Sequence, residues 1–171
     1  MAKHEVKGQD VLLDAWPLVL REVPDADLLL IGDGDDADRL KQRAAGMRGV
    51  RFLGFVSEQD KRGVYASSRV LALPSRQEGF GLVAAEGAFH GAAVLGLRGT
   101  VMEELFPDGH GCVFAEQSGP ESVAAALVPL LRDPTFALEM ARLAQRRVAD
   151  VFLFEHFAQR FENILAERGV M

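Results

Sequence analysis

Two carboxylates separated by seven residues bracket a glycine-bearing turn in the segment Glu78-Gly79-Phe80-Gly81-Leu82-Val83-Ala84-Ala85-Glu86. The segment follows a short apolar run, Val70-Leu71-Ala72-Leu73, which stops at Pro74-Ser75, and it leads into an apolar helical stretch. A strand, a glycine turn and a helix N-terminus in that order make an anion site. The free N–H groups of the first helical turn point at whatever lies above them, and the helix dipole favours negative charge there. Gly79 and Gly81 are expected to let the backbone approach a ligand closely, because no Cβ intervenes. Carboxylates repel phosphate but accept hydrogen bonds from hydroxyls. A phosphate cradle flanked by hydroxyl acceptors suits a sugar nucleotide. Gly-x-Gly after a strand, taken alone, marks a tight turn more often than a ligand site. The paired glutamates therefore carry the argument.

Glu86 stands among apolar residues and glycine, so its carboxylate needs a partner, and a ribose is a sensible one. Glu78 alone reads equally well as a loop acid, and Lys7 alone as a solvated lysine. Gly32-Asp33-Gly34 precedes a helical pattern, with Asp35 or Asp36 as its N-cap rather than a second phosphate site. His90 and His110 lie near turns and are assigned hydrogen-bonded structural roles. No Ser-His-Asp or metal-ligand spacing appears, and the single Cys112 offers neither a disulfide framework nor a metal cluster.

Elements able to hold these groups alternate along the chain. Strands are expected at 27–31, 50–53, 70–73, 93–97 and 112–115. Helices are expected at 9–22, 35–45, 58–66, 81–90 and 101–106, and three more close the chain at 120–131, 134–149 and 154–168. Such alternation predicts an α/β fold, a parallel sheet with helices on both faces. The stripe Val11, Leu12, Ala15, Trp16, Val19, Leu20 and Val23 makes 9–22 amphipathic with Trp16 in the core, and Pro17 should kink it or remove one hydrogen bond. With 171 residues, 49% of them apolar, the chain suits one domain, 1–171, closing in helices over about 134–168. The net charge of −6 argues against a nucleic-acid binder. No apolar run reaches membrane-span length and the N-terminus is too polar for a signal peptide, so a reducing, cytoplasmic setting is expected.

One element is missing from this pattern. A doubly wound half opens with a strand, whereas residues 1–8 are polar and do not alternate. The chain reads as a domain without its first strand. In the strand order 3-2-1-4-5-6 that strand lies at the centre, between 27–31 and 70–73. Three outcomes follow. Residues before Lys7 enter the gap, a neighbouring chain donates a strand and makes an oligomer, or the two strands close up and pair. Strand replacement in some form is the expectation.

Lys7-Gly8, Ile31-Gly32-Asp33-Gly34, Arg51-Phe52-Leu53-Gly54-Phe55-Val56, Leu73-Pro74-Ser75 and Glu78-Gly79-Phe80-Gly81-Leu82 through Glu86 occur in this order. Together they resemble the C-terminal, donor-binding domain of a retaining glycosyltransferase of family 4, also called group 1, over essentially the whole chain. The resemblance implies a GT-B fold, two Rossmann-like domains facing across a cleft. The N-terminal one holds a saccharide or lipid-linked acceptor and the C-terminal one a nucleoside diphosphate sugar such as a UDP- or GDP-hexose. It implies no metal, transfer with retention, and peripheral membrane contact of the parent enzyme. By resemblance, Lys7 contacts the diphosphate, Glu78 accepts from the donor sugar's hydroxyls, and Gly79, Phe80, Gly81 and Leu82 supply the backbone turn. Glu86 binds the ribose, and the backbone at Val56 meets the base. Lys7 and Glu78 are the residues assigned to catalysis. The chain departs from the family in lacking the strand and arginine before Lys7, in Arg98-Gly99-Thr100 where Gly-Gly is frequent, and in Gly87 where alanine is usual, at about 1 kcal/mol. Two other readings stay open: a catalytically inactive binding or complementation module, and another GT-B enzyme such as a nucleotide-sugar epimerase.

Overall fold

A computed structural model of the chain describes residues 7–152. The helix expected over 154–168 and the segment 1–6 lie outside the described residues. The elements run α1 (Gln9–Glu22), β1 (Leu28–Ile31), α2 (Ala37–Arg43), β2 (Val50–Gly54), α3 (Glu58–Ser67), β3 (Val70–Ala72), α4 (Leu82–Phe89), β4 (Ala93–Leu97), α5 (Met102–Leu105), β5 (Cys112–Ala115), α6 (Pro120–Arg132) and α7 (Pro134–Phe152). The expected order of strands and helices is present. Boundaries shift where local chemistry intervenes. α2 is shorter than 35–45, and its N-cap Asp36 makes no side-chain cap, because Arg39 holds both of its carboxylate oxygens at 2.6 and 2.5 Å. α1 runs through Pro17 unbroken.

Every ladder is parallel, but the described strands form two sheets rather than one. β1 pairs with β2, and β3–β4–β5 form the other sheet. β1 and β3 face each other across a cleft of about 1240 Å³, lined on its strand walls by Leu28, Leu30, Val70 and Leu71. The two strands have not closed up, so the third expected outcome does not occur. The order β2-β1, gap, β3-β4-β5 agrees with the order deduced from sequence.

β4 is buried along all five residues, as a strand covered on both faces must be. Ala93, Leu95 and Leu97 point into a core made with Val11, Ala15, Trp16 and Val19 of α1 and Val123, Leu127 and Leu130 of α6. Val94 points the other way, among Ala84, Ala88, Met102, Phe106 and Ala144. Trp16 is a core residue, and its indole N–H donates to the Arg48 carbonyl at 2.9 Å. The His110 Nδ1–H donates to the Pro107 and Asp108 carbonyls, and His90 stacks on Tyr65 with Phe89 at its edge.

The glycine of α4 has a packing cause. A Cβ at Gly87 would stand 2.4 Å from the Leu71 Cδ2 atom, so α4 lies closer to β3 than alanine allows. The helix-propensity loss there is offset by that approach.

Candidate functional site

The end of β3 and the start of α1 are joined by short contacts. Gly8, the N-cap of α1, has φ of 76°, and a Cβ on it would meet the Pro74 carbonyl oxygen at 2.4 Å. The Ser75 hydroxyl, fully buried, donates to the Lys7 carbonyl at 3.2 Å. These contacts set the Lys7 backbone beside residues 74–75. Its side chain then reaches Glu78, with Nζ 2.9 Å from Oε2. Two sequence motifs 71 residues apart therefore meet at the carboxyl ends of the strands, where ligands of open α/β sheets sit.

The turn between the glutamates is shaped by Gly81. Its φ of 67° is left-handed, and a Cβ would lie 2.7 Å from the Leu105 Cδ2 atom. Gly81 answers a backbone and packing need, whereas Gly79 has no atom within 4 Å of where a Cβ would be, and it is the open one. Phe80 and Leu82 are strongly exposed, at 80% and 62%, and form an apolar rim beside the open glycine. α4 starts at Leu82, so its free N–H groups open towards this turn. The Arg76 Nε donates to the Ser118 hydroxyl at 2.8 Å and fastens the loop before Glu78 to the start of α6.

Glu86, expected to need a partner, has two within the protein. Lys61 of α3 places its ammonium 3.0 Å from Glu86 Oε2, and the Tyr65 hydroxyl donates to the same oxygen at 3.4 Å. Lys61 also meets Glu58 at 2.9 Å. The two carboxylates hold the Lys61 ammonium in its charged form, up to about 12, the bond to Glu58 contributing most. Burial, and then the negative charge of Glu86, push the Tyr65 phenol up, so it remains a donor. α3 is fixed at its start by Ser57, whose hydroxyl accepts from the Asp60 N–H at 3.1 Å. Val56 lies just before that cap, partly buried, past the end of β2. Lys61 and Tyr65 went unnoticed in the sequence because nothing local links an α3 lysine to an α4 glutamate.

A family model described as glycosyl transferases group 1 matches residues 1–133. The chain belongs to that family. Among its curated relatives are a GDP-mannose-dependent monoacylated α-(1-6)-phosphatidylinositol monomannoside mannosyltransferase of Corynebacterium glutamicum, 32% identical over 93% of this chain and 44% of the relative. A phosphatidyl-myo-inositol mannosyltransferase of Mycobacterium tuberculosis is 36% identical over 71% of this chain and 32% of its own length. The group 1 chain thus spans less than half the length of these relatives. The fold is shared with Anabaena HepE in complex with UDP and glucose (TM-score 0.80, 24% identity, 94% of this chain and 45% of that one). It is shared too with the C-terminal domain of a group 1 glycosyl transferase of Francisella tularensis (TM-score 0.77, 22% identity, 88% and 82%). The architecture is the Rossmann-like C-terminal half of a GT-B glycosyltransferase.

In this group 1 domain the loop after β4 is held by acids. Arg98 reaches Glu103 at 3.2 Å, Asp108 at 2.9 Å and Glu116 at 3.4 Å, with its guanidinium 4.3 Å from the Phe114 ring centroid. The Gly99 N–H donates to Glu103 at 3.0 Å. The arginine that replaces a glycine in this loop is committed to carboxylates.

Proposed function

We propose that the chain is the nucleotide-sugar-binding half of a retaining family 4 hexosyltransferase that works without a metal. The observation that carries this reading is the pair of glutamates at the two sides of one turn, Glu78 and Glu86, each fixed by a lysine, with Gly79 open between them. Lys7 and the α4 N-terminus receive the diphosphate, and Lys7 offsets the charge that develops on it as it departs. Glu78 accepts from the hexose hydroxyls. It orients the sugar and is not a nucleophile of the glycosidase kind. The backbone of Gly79, Phe80, Gly81 and Leu82 lies along sugar and phosphate. Glu86 accepts from the ribose hydroxyls, and the Val56 backbone meets the base.

GDP-mannose is the first donor to test, because relatives above 30% identity are mannosyltransferases and one is described as GDP-mannose-dependent. The acceptor is a saccharide or lipid-linked saccharide, held by an N-terminal domain outside this chain, in a cytoplasmic enzyme that touches the membrane peripherally. The 171 residues alone transfer no sugar, since bringing acceptor to donor supplies a large part of the barrier reduction. Robust transfer by the purified chain would overturn this half-enzyme reading. The edges of β1 and β3 that pair with no strand among the described residues take up an added strand, from polypeptide ahead of Lys7 or from a neighbouring copy by strand exchange. That open cleft also favours a second reading, a catalytically silent binding module.

Chemical-shift mapping with GDP and UDP tests the location. Shifts should concentrate at 78–86, Lys7 and 56–61. Shifts centred elsewhere would sink the assignment.

A further inference from the structure

The reading above assigns Glu86 to the ribose but leaves Lys61 and Tyr65 without a task. We propose that Lys61 is a positioning residue that orients Glu86 and offsets part of its charge, so that a nucleoside diphosphate can be held by that carboxylate. The inference rests on the ribose role of Glu86.

Its geometry is specific. Lys61 and Tyr65 come from one α3 face, four residues apart, and both donate to the same Glu86 oxygen, Oε2. On this reading the other oxygen, Oε1, is left to accept from a ligand. Lys61 is bound a second time by Glu58 at 2.9 Å, and α3 itself is capped by Ser57. Tyr65 is nearly buried at 6% exposure and stacks on His90, so its hydroxyl has little freedom to leave.

Charge supplies the second argument. A diphosphate brought near Glu78 and Glu86 adds negative charge to two carboxylates. Like charges at short range disfavour binding, and an opposite charge within about 4–6 Å removes the penalty. Lys7 serves Glu78 in this way, and Lys61 serves Glu86.

The test is calorimetry on the full chain with GDP and UDP, and with their 2′,3′-dideoxy forms. Lys61→Met should weaken binding of the ribonucleotides about tenfold, equivalent to about 1.4 kcal/mol. Lys61→Arg should recover most of it. The loss should vanish in a Glu86→Gln background, because Lys61 acts only through that carboxylate, and should shrink with the dideoxy nucleotides, which feel only the charge of Glu86. A Lys61→Met protein that binds like the wild type, while Glu86→Gln is impaired, would overturn the inference and leave the ribose role standing. A loss that persists in the Glu86→Gln background would overturn it too, and would make Lys61 a direct phosphate or base contact. Unimpaired ribonucleotide binding by Glu86→Gln alone would instead remove the ribose role on which the inference rests.

Discussion

The two sheets of this domain are built to different standards. β4, at the centre of the three-stranded sheet, is buried throughout and has a core on each face. β1 and β2 form a ladder whose residues are half-exposed or alternately exposed, bordered by the cleft. The glutamates of the site stand on the first sheet's side, in the loop after β3 and on α4. The lysines that fix them come from elsewhere, Lys7 from ahead of α1 and Lys61 from α3. Acceptors thus sit on the rigid part, and their charges are balanced by residues carried on neighbouring elements. The lesson is that the site needs the α1 and α3 contacts as much as the signature segment.

The sharpest way to break this comparison is through glycines. Gly8→Ala should destabilise by at least about 2 kcal/mol, since it combines a positive φ with a 2.4 Å approach to the Pro74 carbonyl oxygen at the end of β3. Gly34→Ala, before α2 with open space around it, should stay within about 0.5 kcal/mol. Urea midpoints for the two variants decide it, and equal losses would remove the distinction.

Amide exchange offers a milder contrast. β4 amides should exchange only through global opening, while those of β1 and β2 open locally and exchange at least about tenfold faster. Uniform protection across all five strands would mean that the cleft is filled and the two sheets act as one.

The smallest effect concerns Cys112, at the start of β5 on the well-packed side. Burial pushes its thiol up to about 12. The folded state therefore binds the proton more tightly than the unfolded one. Its contribution to stability is intact below the ordinary thiol value of 9.0 and is lost as pH climbs from there to about 12. Unfolding midpoints measured over that range should fall with pH, and Cys112→Ala should flatten the decline. An unchanged slope in Cys112→Ala would assign the alkaline loss to other groups.

Much of this was legible in the chain. Apolar runs ending at Pro74-Ser75 or flanked by glycine located all five strands, because a buried parallel strand leaves few alternatives for such runs. The break between β1 and β3 among the described residues agrees with the strand order deduced from sequence. The site was half legible. The Glu78 turn is local and shows in sequence, whereas the Lys61–Glu86 pair joins α3 to α4 and needs the fold to exist first. The partners of Glu86 within the protein were not legible for that reason. Gly81 and Gly87 also answer to contacts with Leu105 and Leu71, which come from distant parts of the chain and leave no local sign in the sequence.

The central claim, that the two glutamates divide the donor between them, is tested most directly by calorimetry on Glu78→Ala and Glu86→Ala with GDP, UDP and their hexose derivatives. Glu86→Ala should weaken free nucleotide and nucleotide sugar alike, by about 1–3 kcal/mol. Glu78→Ala should leave the free nucleotide almost untouched and weaken only the nucleotide sugar. Equal losses for both ligands at Glu78, or none at Glu86, would contradict the account.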